Sequence, residues 1–207
     1  MRKVFVSSIL LGKVNPTTYI SDDLELGSAH YDFPLSYMID SEVNENDNVE
    51  IITVVERSNQ GYQQAAENYE LFKKEVNGIL QGRNTVVNFT EITTSKEFES
   101  NTFNRFFKEI AKEIHDDDKI YMDITFGLKP YTMSMFIAIA YAAKVYSGVS
   151  VETVLYSQKY TGTSDSSSVN TAKLYDITAL FYINSLAGKA APDQKQGLDE
   201  LLNFIID

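Results

Sequence analysis

Eight consecutive residues, Asp123-Ile-Thr-Phe-Gly-Leu-Lys-Pro130, bring together the groups needed to hold a phosphate. Gly127 lets the backbone turn and lets a ligand come close. Pro130 suits the first turn of a helix, where its missing N–H costs little. A helix starting there aims free N–H groups and a positive dipole end at an anion. Lys129 adds a full positive charge, and Thr125 a hydroxyl. The same residues also suit a plain strand-to-helix turn, with Asp123 bonded to backbone and Lys129 in water. The spacing fits neither GxxxxGK[ST] nor GxGxxG, which excludes the Walker loop and the dinucleotide fingerprint.

Other chemistry is sparse. The chain has no cysteine, so disulfides, thiolate nucleophiles and Cys-based zinc sites are excluded. Its two histidines are His30, in a Tyr-rich loop, and His115, at the end of an amphipathic stretch. His115 is expected to end a helix, where its charge favours the dipole, and His30 to lie on the surface. Asp116, Asp117 and Asp118 are consecutive, so their carboxylates diverge. They read as a solvated helix end and not as a metal site.

The elements that must position the phosphate loop follow from periodicity. Val4 to Leu11 is an apolar run ended by Gly12, as expected for a strand buried on both faces. The preceding Met-Arg-Lys and this run lack the length and cleavage site of a signal peptide. Lys13 to Phe33 reads as a long loop or irregular hairpin, Pro34 to Val43 as a short helix and Asn44 to Asn48 as a polar turn. Val49 to Val55 is β-branched and reads as the second strand. Ser58-Asn59 then caps a helix from about Gln60 to Leu80, whose Ala65, Tyr69, Phe72 and Val76 lie on one face. Thr85 to Ile92 is a third strand. Ser95 to His115 is a helix with Phe103, Phe106, Phe107, Ile110 and Ile114 inward.

Lys119 to Thr125 is the fourth strand and runs straight into the phosphate loop. Pro130 to Tyr146 is a helix apolar nearly all round, which predicts cover on more than one side. Val149 to Tyr156 is the fifth strand. Gln158 to Asn170 is a Ser/Thr-rich hairpin tip or loop, and Lys173 to Ile177 its return strand. Helices at Thr178 to Leu186 and Pro192 to Ile206 follow. This alternation predicts an α/β, Rossmann-like fold: a mainly parallel sheet flanked by helices, with a C-terminal hairpin and two helices. Residues 1–177 are expected to form one ligand-binding domain and 178–207 a helical appendage. Ligands of such sheets sit beyond the carboxyl ends of the strands, where the strand order reverses. Ser7, Ser8, Glu56 and the loop after Asp123 all belong to that edge.

The net charge of −11 argues against duplex DNA as a partner. The acidic tail, with Asp193, Asp199, Glu200 and Asp207 against Lys195, carries no basic recognition helix. Met133 to Val145 is shorter than the ~20 residues that span a bilayer. A cytoplasmic protein without a membrane segment is expected.

The phosphate loop resembles the Asp-x-Thr-His-Gly-x-Arg motif of the DxTHG CRISPR-associated proteins, members of the CARF family (CRISPR-associated Rossmann fold). It is also similar to the Gly-x-Lys-Pro variant of related CARF sensors. KVFVSSILLG resembles that family's first strand and loop, VEIITVVERSNQ its second strand and turn, and KLYDIT its late strand and helix start. The segment from Arg105 to Gln158 follows the family's order of elements. Phe126 stands where the named motif carries His. The resemblance implies a homodimer that binds a cyclic oligoadenylate across its two-fold axis. Cyclic tetra-adenylate is favoured, and the hexa-adenylate is the alternative. It implies that Thr125, Phe126, Gly127, Lys129 and Pro130 line the ring, with Ser7 and Ser8 from the first loop and Glu56 and Asn59 from the second. Some proteins of this fold cleave their ring, and the resemblance makes a metal-independent version plausible here: the ribose 2′-OH attacks the adjacent phosphate and leaves a 2′,3′-cyclic phosphate. In that case Lys129 and Ser7 or Ser8 would be the catalytic groups. The resemblance implies no cofactor. A regulator or scaffold that uses the same fold to bind a protein or nucleic-acid partner stays open as the alternative.

Overall fold

The computed structural model describes residues 1–57, 63–93, 100–159, 170–187 and 197. Its elements, in chain order, are β1 (Arg2–Ser8), β2 (Thr17–Ile20), α1 (Pro34–Glu42), β3 (Asn48–Val55), α2 (Gln63–Leu80) and β4 (Val86–Thr93). They continue with α3 (Ser100–Lys112), β5 (Lys119–Asp123), α4 (Lys129–Val145), β6 (Ser150–Lys159), β7 (Asn170–Asp176) and α5 (Thr178–Ala187). The expected helix cap at Ser58-Asn59 lies outside the described residues. So do Ser95 to Glu99 of the third predicted helix, and the last predicted helix apart from Gly197.

One sheet runs β2-β7-β6-β5-β1-β3-β4. β1 pairs in parallel with both β3 and β5, and β3 with β4 and β5 with β6 continue the parallel set. β7 returns antiparallel to β6, as the hairpin reading expected. The fold is therefore α/β, with a mainly parallel, Rossmann-like sheet. Strands are added outward from β1 to β4 on one side and from β5 on the other. The order reverses between β1 and β5.

Burial on both faces accounts for the apolar runs. In β1, Val4 and Val6 join a core with α3 and α4, while Phe5 joins a second core with α1 and α2. β4 stands at the sheet edge: Val87 and Phe89 pack toward one core and Ile92 toward the other, while Val86 is 63% exposed. The α3 face matches its periodicity: Phe106, Ile110 and Ile114 are fully buried. No described helix is long and apolar enough to cross a membrane.

Two expectations need correction. The segment from Lys13 to Phe33 is not a hairpin: β2 pairs in parallel with β7, about 150 residues on, because so short a strand has no local partner to lie on. The Asp116–Asp118 run is not simply solvated. Asp118 is fully buried, its carboxylate accepts 2.6 Å from Arg2 Nη1 and 2.7 Å from the His115 N–H, and this ties the end of the α3 region to the start of β1. In α4, Tyr131, Met135, Ala138, Ile139 and Ala142 are buried, while Met133, Ile137, Tyr141 and Val145 are 43–63% exposed in the single chain, so cover on a second side would have to come from outside it.

Removing Arg2 leaves the Asp118 carboxylate buried without its cation. Its Oδ1 already lacks a hydrogen-bond partner among the described residues. Arg2→Met is expected to lower stability by ~3 kcal/mol, the lower end for breaking a buried pair, since the Arg2 side chain is itself 19% exposed. Urea unfolding measures this, and a loss under ~1 kcal/mol would place the pair with weak surface bridges.

Candidate functional site

β5 ends at Asp123, and the next five residues cross the sheet edge to reach α4. Asp123 shapes this loop: its Oδ1 accepts the Thr125 N–H at 2.8 Å. The Ile124 N–H donates to the Leu155 carbonyl at 2.9 Å, and Thr125 Oγ1 accepts the Ser157 N–H at 2.9 Å, so the loop is pinned to β6. The Thr125 hydroxyl therefore works within the fold. Phe126 then packs toward the α1/α2 core and Leu128 toward the α3/α4 core. The loop thus straddles the sheet, with side chains packed toward both cores.

Gly127 has φ +96°, a left-handed conformation that favours glycine. A Cβ at this position would lie 2.2 Å from Ser8 Oγ and 2.7 Å from Ser8 Cβ. The end of β1 and the loop after β5 thus touch at the point where strand order reverses. Ser8 faces α4, and its hydroxyl donates to the Val54 carbonyl at 3.5 Å. Ser7 is in register with Thr53 and Asp123 and lies on the opposite face of β1. Both serines are under 5% exposed. They cannot serve one ligand as a side-by-side pair.

α4 begins with Lys129 and Pro130, both exposed, at its first two positions. Leu128 precedes it with no side-chain cap, and the first turn holds no acidic residue. This helix end therefore presents its dipole and one lysine to the sheet's carboxyl edge. Glu56, expected to face a ligand, is 1% exposed and accepts a 2.7 Å hydrogen bond from the Tyr131 hydroxyl in that same turn. It fixes α4 to the end of β3. Asn59 lies outside the described residues.

Beside this loop opens a cleft of about 450 Å³, within the usual range for small-molecule sites. Thr125 and Phe126 form part of its wall. Lys13, Asn15, Thr17, Tyr19 and Asp32, from the segment before α1, form most of the rest with Ser157 and Ala172. Those between Lys13 and Asp32 read as a long loop or irregular hairpin in the sequence, because only the β2–β7 pairing brings them to the edge. The wall after β1 is held by Asn68 of α2, fully buried, whose amide donates 2.7 Å hydrogen bonds to the Leu10 and Gly12 carbonyls. An asparagine among the buried residues of an amphipathic helix was the available signal.

Burial pushes the Asp123 carboxyl up from 3.8 to about 6, while the Thr125 hydrogen bonds pull it down. Its place beneath the loop makes it a structural carboxyl whose charge the fold resists.

Residues 9–159 match the family model described as CRISPR system endoribonuclease Csx1, CARF domain. The chain belongs to this CARF family. No curated protein matches it.

Two outcomes follow from this geometry. Gly127→Ala is expected to cost ~1–3 kcal/mol through its left-handed backbone and the overlap with Ser8. Adding Ser8→Gly should recover the overlap part alone, as read by urea unfolding. The second concerns pH. Between about pH 4 and 6 the folded protein keeps a proton on Asp123 that the unfolded chain releases, so raising pH through this window removes stability. The loss approaches ~3 kcal/mol by pH 7 in the limit of the full shift. Asp123→Asn keeps an acceptor for the Thr125 N–H and should lack this component. Parallel stability–pH curves for the two proteins would contradict the assignment.

Proposed function

We propose that this CARF-family chain is a cyclic oligoadenylate sensor of type III CRISPR antiviral defence, binding one ring between two copies of itself. The observation that carries the reading is the N-terminus of α4, which no side chain caps and which bears Lys129, beside a ligand-sized cleft at the point where strand order reverses. Partial positive charge from the helix end and full charge from Lys129 converge where a phosphate would sit. The loop backbone around Gly127 allows close approach. In this reading residues 1–177 carry the site and 178–207 form an appendage.

Dimerisation is supported by the α4 surface. Met133, Ile137, Tyr141 and Val145 recur every four residues and form one exposed apolar stripe. Phe103 and Phe107 of α3 and Pro130 continue it as a groove of about 420 Å³. A second copy packed on this stripe about a two-fold axis would bury it and bring two Lys129 loops to one edge. A symmetric ring fits such a pair of identical half-sites. Cyclic tetra-adenylate is the favoured ring and cyclic hexa-adenylate the alternative.

The site can bind alone or also cleave. Cleavage would use the ligand's own 2′-OH, attacking the neighbouring phosphorus in line and expelling the 5′-oxygen to leave a 2′,3′-cyclic phosphate. The protein's part is to hold that geometry and stabilise charge on the phosphoryl oxygens. Lys129 is exposed at the edge and suits this role. Ser7 and Ser8 are buried in the free chain and would need the ligand-bound edge to open toward them.

The test is titration with cyclic tri-, tetra- and hexa-adenylate, followed by chromatography of the products with and without EDTA. Lys129→Ala is expected to weaken binding by at least ~1.5 kcal/mol, more than tenfold, because it removes a charged hydrogen-bond donor. Any product should form equally in EDTA and end in a 2′,3′-cyclic phosphate. Unchanged affinity in a folded Lys129→Ala protein would remove the site.

A further inference from the structure

Toward the carboxyl ends of the central strands the sheet face under α1 and α2 changes character. Tyr121, Phe5, Ile51 and Phe89 form an apolar row across it, and two residues further on the row is Asp123, Ser7, Thr53 and Glu91. Glu91 meets Arg57. Asp123 is 2% exposed, accepts the Thr125 N–H, and has no ion pair among the described residues.

Its surroundings supply no positive charge. β1 and β3 set the hydroxyls of Ser7 and Thr53 in register along the row, and Thr53 Oγ1 has no hydrogen-bond partner among the described residues. β6 sets Leu155 on its other side. From β2 comes the Tyr19 hydroxyl, held neutral by its own burial; Tyr37, Glu75 and Asp32 act on that hydroxyl and bring no cation. Lys119 stands at the far end of β5, and Lys129 is exposed at the start of α4. A neutral Asp123 adds a hydrogen-bond donor to this row. An ionised Asp123 adds a buried charge that nothing beside it offsets.

The same carboxyl underlies the loop on which a phosphate would rest. Gly127 packs against Ser8 and Thr125 is tied to Ser157, so the loop is not free to swing away from Asp123 when an anion arrives. The phosphate and an ionised Asp123 then repel each other through protein, where salt screens little. A unit charge about 10 Å away, at an effective dielectric of about 20, moves a carboxyl's titration upward by roughly one pH unit, a tenfold change.

We propose that the site takes up protons as it binds its ring: Asp123, sealed beneath the loop, is held neutral when a phosphate occupies the start of α4, so that affinity falls as pH rises. The inference rests on the reading that a polyanionic ring binds at this loop. Asp123 then acts as a positioning residue whose charge state is coupled to the ligand without touching it.

Calorimetric titration with cyclic tetra- and hexa-adenylate, from about pH 5.5 to 8 and in buffers of unequal ionisation enthalpy, reads the coupling directly. Neither a phosphodiester nor adenine changes charge in this range. Histidine is the other side chain that does, and the chain has His30 and His115. The proteins compared are therefore wild type, Asp123→Asn, His30→Gln and His115→Gln. Wild-type affinity for the ring that binds should fall about tenfold across the range, with protons taken up near pH 6.5. Asp123→Asn should show a flat profile and no uptake, and both histidine variants should keep the wild-type profile. Carboxyl-carbon NMR of the wild-type chain gives the same answer without a substitution: Asp123 should titrate at higher pH with the ring bound than without it. Ring binding with no proton uptake, uptake that survives in Asp123→Asn, or an Asp123 signal that the ring leaves unmoved overturns the coupling and leaves the sensor reading standing. A wild-type chain that binds neither ring overturns both.

Discussion

Where β1 ends and the loop after β5 begins, two stretches of backbone come so close that one methyl group at residue 127 would overlap the Ser8 side chain. This approach fixes where α4 starts relative to the central strands. Around it the loop is held from three sides: by Asp123 beneath, by Leu155 and Ser157 of β6, and by the Tyr131–Glu56 hydrogen bond reaching back to β3. Each anchor belongs to a different strand. The position of Lys129 is therefore set by the whole central sheet and not by its own loop.

The charge balance shows which electrostatic effect governs the site. The chain carries −11 overall, yet exposed charges beyond about 8 Å are largely screened at physiological salt. An anion at the start of α4 responds chiefly to Lys129 and the helix end. Asp123 lies close by, but burial holds its carboxyl at about 6, which marks a charge the fold keeps only at a cost. A pinned loop with one exposed lysine suits a ligand that brings its own negative charge.

Most of the central fold was legible in the sequence. Strands buried on two faces read as unbroken apolar runs, and helices between them kept their spacing, as Phe106, Ile110 and Ile114 show. The phosphate loop was legible because its chemistry is local: a glycine, a lysine and a proline within four residues. What stayed hidden depends on distant partners. β2 needs β7 to exist, and so the cleft residues Lys13 and Asp32 looked like loop. Asp118 is buried because Arg2 reaches it across the sheet edge. Glu56 was read as facing a ligand, and its Tyr131 partner in α4 was not foreseen. Ser7 and Ser8 differ: strand alternation alone separates their faces, and the sequence held that information.

The central claim is that two copies of the α4 loop form one site for one cyclic oligoadenylate. Calorimetric titration with cyclic tetra-adenylate, and with the hexa-adenylate in parallel, reads this directly as stoichiometry. One ring should bind per two chains for the ring that binds. One ring per chain, or no heat of binding with either, would contradict it.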